Sequence, residues 1–297
     1  MIKVDLVMWT KNGEKTLGVV LDGINRVIPK EVVNERFIVD DYSTDATRDI
    51  AVIKGWDVYF NHGSGISDGA NTALSYVQSD FFCSFEQDVL LSDLWWNRIS
   101  RLVQGKDVAA ACGLRFLPRS NLCFNIDRYQ LTRQGTHFMG GYGKTLDNTI
   151  WNTHVLRSLG GFPKLKHAGV DNYLSHLIDA KGYKWLVDYD VQSLHLHSGL
   201  LNELRRYYFY GLSLPELDER LSKVCNAYEG IDWQHFLVWF LKSPVSSLKV
   251  AKKMRDARLL LAYPSIRLCW LLGYLKGLWA LDDCTSLTAK RTQGGEA

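Results

Sequence analysis

Short apolar runs alternate with helix-patterned segments through the first 85 residues, and this alternation restricts the fold more than any other feature. Val4–Trp9 (VDLVMW) is rich in strand formers and ends in the turn signal Thr10-Lys11-Asn12-Gly13. Thr16–Val27 then places Leu17, Val20, Leu21, Ile24 and Val27 at helical spacing. Phe37–Val39 is a second strand, a helix continues through Ile50 and Ile53, and Trp56–Phe60 is a third strand. A Gly-rich loop, Asn61–Gly69, leads to a helix over Ala70–Gln78, and Phe81–Phe85 is a fourth strand. Strands joined by helices pair in parallel, because a parallel pair needs a crossover. The expected class is therefore α/β, a mostly parallel sheet with helices on both faces. At 297 residues and 46% hydrophobic, the chain has material for such a core and an appendage besides.

Two of these strands end in acid. Phe81–Leu91 (FFCSFEQDVLL) closes its apolar run with Glu86, Gln87 and Asp88. In an α/β sheet, ligands bind at the carboxyl ends of strands. Side chains two apart share a strand face, so Glu86 and Asp88 can converge on one cation. Hard cations such as Mg²⁺ take carboxylates together with substrate phosphates. The strand at Phe37–Val39 runs into Asp40 and Asp41. Taken singly, Glu86/Asp88 also reads as a solvated strand end, and Asp40-Asp41 as a turn before a helix capped by Thr44 or Asp45. Taken together, they point to one site for a nucleotide and a metal.

The segment FIVDDYSTDATRDIA resembles the VDDxSxDxT signature of family 2 glycosyltransferases, whose fold is GT-A, a Rossmann-like sheet. Further segments are similar in the family's order. Thr10–Gly13 resembles the T-x-N-x loop, and Asp68–Leu74 resembles the G-x-A-R-N-x-A-L helix start, here without its Arg. Glu86-Gln87-Asp88 stands at the D-x-D, and Gly160–Pro163 at the G-G-F. GVDNYLSHLIDAKGYK follows the E-D-x-x-L pattern with Val170 in place of Glu, and His195-Leu196-His197-Ser198 resembles the H-x-S segment. The resemblance spans residues 1–211.

It implies an inverting, metal-dependent transferase that takes its sugar from a nucleotide-diphosphate donor. Asp40 and Asp41 would hold base and ribose, with Thr10, Asn12, Asp68, Asn71, Glu86 and Gln87 completing the donor pocket. Asp88 would bind Mn²⁺ or Mg²⁺, with His195 or His197 as a further ligand; two histidines two apart share a strand face. Asp171 aligns with the catalytic base, and also reads as an N-cap of the helix that follows. Arg205 and Arg206 would close over the donor phosphates, or else lie on an amphipathic helix face. The irregular stretch 113–143, with Arg115, would shape the acceptor site, and Trp151–His154 would contact donor sugar or acceptor.

Net charge is +3, which predicts no nucleic-acid partner for the chain as a whole. The six cysteines are scattered without a CxxC pair, which argues against a zinc site or a disulfide framework and suits a reducing compartment. The chain begins in a strand-like run, and no signal peptide is expected.

Residues 212–297 are expected to form a helical, membrane-interface region. Pro215 and the polar Glu216–Lys223 suggest a linker or short helix. Lys242, Lys249, Lys252, Lys253, Arg255 and Arg258 then run into LLLAYPSIRLCWLLGYLKGLWAL. Pro264, Arg267 and Lys276 interrupt that run, which suits a helix lying in the headgroup region better than a span. This predicts a peripheral protein on the cytoplasmic face of a membrane, acting on a glycan or polyprenyl-phosphate-linked acceptor. Rival readings are a nucleotidyltransferase on a similar fold and a non-catalytic nucleotide- or glycan-binding scaffold. The loop at Thr10–Gly13 is short for the first, while Glu86 and Val170 are the departures that keep the second open.

Overall fold

Val4–Thr10 forms strand β1, and every one of its residues is buried. That is the pattern of a central parallel strand, covered on both faces. Its one charge, Asp5, is also fully buried, and accepts hydrogen bonds from Asn34 Nδ2 and from the Gln78 and Ser79 main chain at 2.7–2.9 Å. A buried carboxylate so satisfied staples β1 to the start of the fourth strand. The computed structural model describes residues 2–121, 123–131, 143–166, 168–196, 199–225 and 233–293.

The remaining strands are β2 (Val33–Asp40), β3 (Asp57–Phe60), β4 (Phe81–Phe85), β5 (Val89–Leu90), β6 (Val108–Phe116), β7 (Thr149–Asn152) and β8 (Lys184–His195). Among the described residues they form one sheet of order β3-β2-β1-β4-β7-β6-β8-β5. β3, β2, β1 and β4 are mutually parallel, as the alternation predicts. β7 enters antiparallel between β4 and β6, and β5 pairs antiparallel with β8. The sheet is thus mixed beyond β4.

Helix α1 (Leu17–Val27) buries Leu17, Val20, Leu21 and Ile24, the predicted stripe. It packs with α2 (Thr47–Ile53) and with Met8, Phe85, Trp95 and Trp96 in one core. Helix α3 spans Gly65–Tyr76, so it starts inside the stretch read as a Gly-rich loop. Ser64 is its N-cap, and Asp68 accepts from Ser64 N at 3.1 Å. A carboxylate reaching back to the cap peptide lets a helix begin in a sequence that looks like loop. Helices α4 (Trp95–Leu102), α5 (Phe124–Leu131), α6 (Thr153–Ser158) and α7 (Val170–Ala180) follow.

The chain divides into two compact units, residues 1–118, 134–164 and 170–197, and residues 119–133, 165–169 and 198–297. The first holds the whole sheet. The second holds α5 and helices α8 (Leu200–Val224), α9 (Trp233–Leu241), α10 (Ser243–Met254) and α11 (Leu259–Gln293). The stretch read as a linker or short helix is the end of α8, which runs unbroken past residue 211 and through Pro215. α8 and α11 meet at glycines: a Cβ on Gly211 or on Gly273 would lie 2.0 Å from a carbonyl of the other helix. Among the described residues no helix is long and apolar enough to cross a membrane.

Candidate active site

Parallel strands in the order β2-β1-β4 bring their carboxyl ends to one edge of the sheet. Asp40 faces Thr10 in register at that edge, and Phe85 faces Met8. The loops after β1, β2 and β4 therefore converge, and with α3 they line a pocket of about 310 Å³. Thr10, Lys11, Asp41, Asn61, Glu86, Gln87 and Asp88 contribute its polar wall. Two acid clusters that are nearly fifty residues apart in sequence thus share one cavity.

The loop after β1 is stapled to the loop after β2. Asn12, held at φ 50°, donates its N–H to Ser43 Oγ at 2.8 Å and accepts from Thr44 N at 2.9 Å. Gly13 N donates to Thr47 Oγ1, and Glu14 N to Asp45 Oδ2. Asp40 is spent on the same structure. It is fully buried and accepts from Ser43 N at 2.9 Å and from Thr10 Oγ1 at 3.4 Å. It shapes the turn and does not line the pocket, contrary to the expectation for it. Asp41 does line it, and receives Lys11 Nζ at 2.9 Å, Asn61 Nδ2 at 3.1 Å and Gly65 N at 3.3 Å.

Asp68 and Asn71 also turn elsewhere. Asp68 caps α3 and pairs with Lys164 at 2.9 Å, which holds its carboxyl below the usual range. Asn71 bonds both ways to the main chain of Phe162, at 2.8 and 2.9 Å. The G-G-F segment is therefore a packing clamp on α3; a Cβ on Gly161, at φ 80°, would strike the Asn71 amide.

At the other end of the pocket, β5 pairs with β8 so that Val89 faces His195. This register sets His195 Nε2 3.2 Å from Asp88 Oδ2. One ligand atom each from Glu86, Asp88 and His195 lies within 4.8 Å of the others. Two carboxylate oxygens and an imidazole at that spacing suit Mn²⁺ or Mg²⁺ and leave room for ligand oxygens. His195 is largely buried, and this lowers its pKa and favours the neutral, ligating imidazole. His197 lies outside the described residues.

Behind this trio sits a charge cluster of which the sequence reading named only Arg115, and that as part of an acceptor loop. Arg115 extends from β6, with Nη1 2.8 Å from Glu86 and 3.2 Å from Asp147. The Asp147 carboxylate is fully buried and, apart from this ion pair, has no hydrogen-bond partner among the described residues. Burial, and then the charge of Asp147, push Glu86 up to about 8, against the pull of Arg115. The polar doublet Asp147-Asn148, directly before the apolar β7, was the available signal. Trp151, expected to touch donor or acceptor, is instead fully buried beside Phe82, with its Nε1 on Ser84 Oγ.

Asp171 stands in the first turn of α7, and its Oδ1 accepts from Asn172 N at 2.8 Å. It is the second residue of the helix and not its N-cap, and a carboxylate in the first turn suits the helix terminus. Burial raises its pKa, with Arg115 pulling down and Asp147 pushing up. Lys144 bonds Ser175 Oγ at 2.8 Å and pairs with Asp179, which fixes α7 to the strand of chain that carries Asp147. Arg205 and Arg206 belong to α8 in the second unit. Arg206 is paired with the buried Glu203 at 2.7 Å and lies against Tyr207 and Tyr210. That is a structural role within the helix, and it answers the expectation of a phosphate contact for Arg206 with a different partner.

A family model, Glycosyl transferase family 2, matches residues 5–158, just over half of the chain. Among solved structures, the mannosyltransferase PcManGT from Pyrobaculum calidifontis, in complex with GDP-Man and Mn²⁺, is 16% identical with a TM-score of 0.64, covering 94% of this chain and 88% of that one. Glucosyl-3-phosphoglycerate synthase from Mycobacterium tuberculosis, in complex with Mn²⁺, UDP and phosphoglyceric acid, is 18% identical with a TM-score of 0.52, covering 70% and 76%. No curated protein matches the chain in sequence. The GT-A fold with a helical C-terminal region, expected from the motifs, is borne out.

Proposed function

The chain belongs to glycosyl transferase family 2, and we propose that it moves a sugar, with inversion, from a nucleoside-diphosphate sugar to a hydroxyl of a glycan or polyprenyl-phosphate-linked acceptor. The observation that carries this reading is the convergence of Glu86, Asp88 and His195 on one point of a pocket that Asp41 and Lys11 also line. In this reading the nucleoside lies between the loop after β1 and Asp41, whose carboxylate accepts from base or ribose. The diphosphate lies towards Asp88. Mn²⁺ or Mg²⁺ held by Glu86, Asp88 and His195 would offset the negative charge that gathers on the departing diphosphate.

Asp171 is the base. It takes the proton of the acceptor hydroxyl as that oxygen attacks C1 from the face opposite the leaving group. The C1–O bond to the diphosphate breaks, and its electron pair leaves with the nucleoside diphosphate. A carboxyl pushed above its ordinary value is a better match to a hydroxyl proton than an unperturbed one. Support for donor and metal comes from the two solved relatives, whose complexes hold GDP-Man or UDP with Mn²⁺.

The test is a thermal-shift screen of UDP, GDP, CDP and dTDP with Mn²⁺, Mg²⁺ or chelator, since a ligand bound only by the folded state raises its stability as RT ln(1 + [L]/Kd). We expect one nucleotide to give a metal-dependent shift that Asp88→Asn removes. Asp171→Asn keeps the shift and loses transfer. Folded protein that shifts with none of the nucleotides, or an Asp171→Asn variant with full transfer, overturns the reading.

A further inference from the structure

The helices of the second unit carry an apolar surface that the catalytic reading does not use. On α11, Leu261, Leu268, Leu272, Leu275 and Trp279 are exposed, Leu261 at 79% and Trp279 at 60%. Their spacing of three, four or seven residues keeps them on one face of the helix, over about 27 Å of its length. The opposite face, with Tyr263, Ile266, Trp270 and Tyr274, is buried. Scattered exposed leucines need no explanation, but a stripe of this length on one helix does. Helix α10 adds charge to the same theme, with Val245 and Leu248 exposed beside Lys249 and Lys252 at helical spacing.

The charges sort themselves around this stripe. Arg267, which falls in the middle of the apolar run, turns inward. It donates to Trp239 O at 2.8 Å and to Tyr263 OH, with its guanidinium over both rings at 4.0 and 4.3 Å. Lys276 lies over the Trp279 ring at 4.1 Å. Between Trp233 and Leu281 there are eight Lys and Arg against a single acid, Asp256, which Arg258 and Asn125 occupy. The outer face of α11 is thus free of charge from Leu261 to Leu275, in a segment of strongly positive sign. A second copy of the chain would meet that charge with its own, so self-pairing is disfavoured.

We infer that this face docks on a membrane bearing anionic lipid, with α11 lying in the headgroup region and the lysines of α10 on the lipid charge. The inference goes beyond the transferase reading and does not depend on it, but it gives a lipid-linked acceptor a place to be presented. The experiment is flotation of the full chain with phosphatidylcholine vesicles, with and without phosphatidylglycerol, at low and high salt. We expect binding to the anionic vesicles that weakens with salt. Lys249→Gln and Lys252→Gln should each lower partitioning about fivefold. Leu268→Glu with Leu272→Glu should abolish it while the thermal transition stays in place, because both side chains are exposed. Folded wild-type protein that floats with neither vesicle overturns the proposal. So does equal binding by the wild type and all of these variants. A wild-type dimer that the Leu268/Leu272 variant splits, without vesicle binding, assigns the face to a second copy instead.

Discussion

The side-chain amide of Gln87 pairs in both directions with the peptide of Lys11: Oε1 accepts from Lys11 N at 3.0 Å, and Nε2 donates to Lys11 O at 3.1 Å. One residue of the acid triplet after β4 thereby fixes the loop after β1, and the two walls of the pocket become a single piece. Gly13 permits the approach, since a Cβ there would lie 2.6 Å from Gln87 Oε1. Gln87→Met keeps the volume and removes both bonds. At about 1 kcal/mol per bond, about 2 kcal/mol for the two, we expect the Kd for the nucleoside diphosphate to rise by up to about thirtyfold by calorimetry, with little change in melting temperature. An unchanged Kd would mean that the bonds from Asn12 to Ser43 and Thr44 hold the loop unaided.

Asp88 is expected to carry the metal. Removing a partner of a metal ligand commonly costs 10–100-fold in affinity, so losing a ligand itself should cost at least about tenfold. Titration of Asp88→Asn with Mn²⁺, followed by the spectroscopic signal of the free ion, reads this directly. Asp40→Asn is the contrast. Its carboxylate is taken up by Ser43 and Thr10 away from the pocket, so this change should lower the melting temperature more than the Mn²⁺ affinity. Wild-type Mn²⁺ affinity in Asp88→Asn would remove the metal from this edge of the sheet.

How far these features were legible in the sequence follows from how local their causes are. The run of β1, the stripe of α1 and the acids that close β2 and β4 are each made by residues close together in the chain, so periodicity and strand ends reveal them. The antiparallel entry of β7 was not legible, because nothing in Thr149–Asn152 specifies its neighbours. Which acid of a pair faces the pocket was equally hidden. Asp40 and Asp41 differ only in that the strand turns one of them into Ser43, and a hydrogen bond three residues on decides it. Arg115 and Asp147 meet across more than thirty residues, as do Asn71 and Phe162 across ninety, so only the fold reveals that the first pair serves the site and the second the scaffold.

The pH dependence of turnover should report Asp171. Burial raises its pKa above the ordinary aspartate value of 3.8. The base works when deprotonated, so kcat rises with pH through this raised value and is lost below it. The acid limb should therefore lie above the ordinary aspartate value, and it should vanish in Asp171→Asn, whose residual rate is down by about 10²–10⁴-fold. An acid limb that persists in that variant's residual activity belongs to another group.

The contact of α8 with α11 should be intolerant of a single methyl group. A Cβ at Gly273 would lie 2.0 Å from Tyr208 O and 2.8 Å from Leu212 N, both main-chain atoms that cannot swing aside. Overpacking of this kind costs about 1–3 kcal/mol or more, and Gly273→Ala should lower the melting temperature accordingly. Gly18→Ala is the control. It lies inside α1 with its nearest neighbour, Ile50, at 3.6 Å, so the gain in helix propensity, about 1 kcal/mol, should appear as added stability. Equal effects of opposite expectation would show that the two helices are free to part.

Asp256 sets the acid stability of the second unit. It sits at the turn between α10 and α11, where Arg255 takes φ 53°. Its carboxylate accepts from Arg258 Nε at 2.9 Å, Arg258 Nη2 at 2.8 Å and Asn125 Nδ2 at 2.9 Å. The Arg258 bonds lead in lowering its pKa from 3.8 to about 2. A carboxyl with a lower pKa in the folded state releases its proton more readily there than in the unfolded chain. Its contribution to stability is therefore complete above the unfolded value and disappears as pH falls through the folded one. Between about pH 4 and pH 2 the wild type should lose stability that Asp256→Asn lacks throughout. The two melting curves should accordingly differ at pH 6 and converge towards pH 2. A constant gap across that window would mean that Asp256 acts through the shape of its turn and not through its charge.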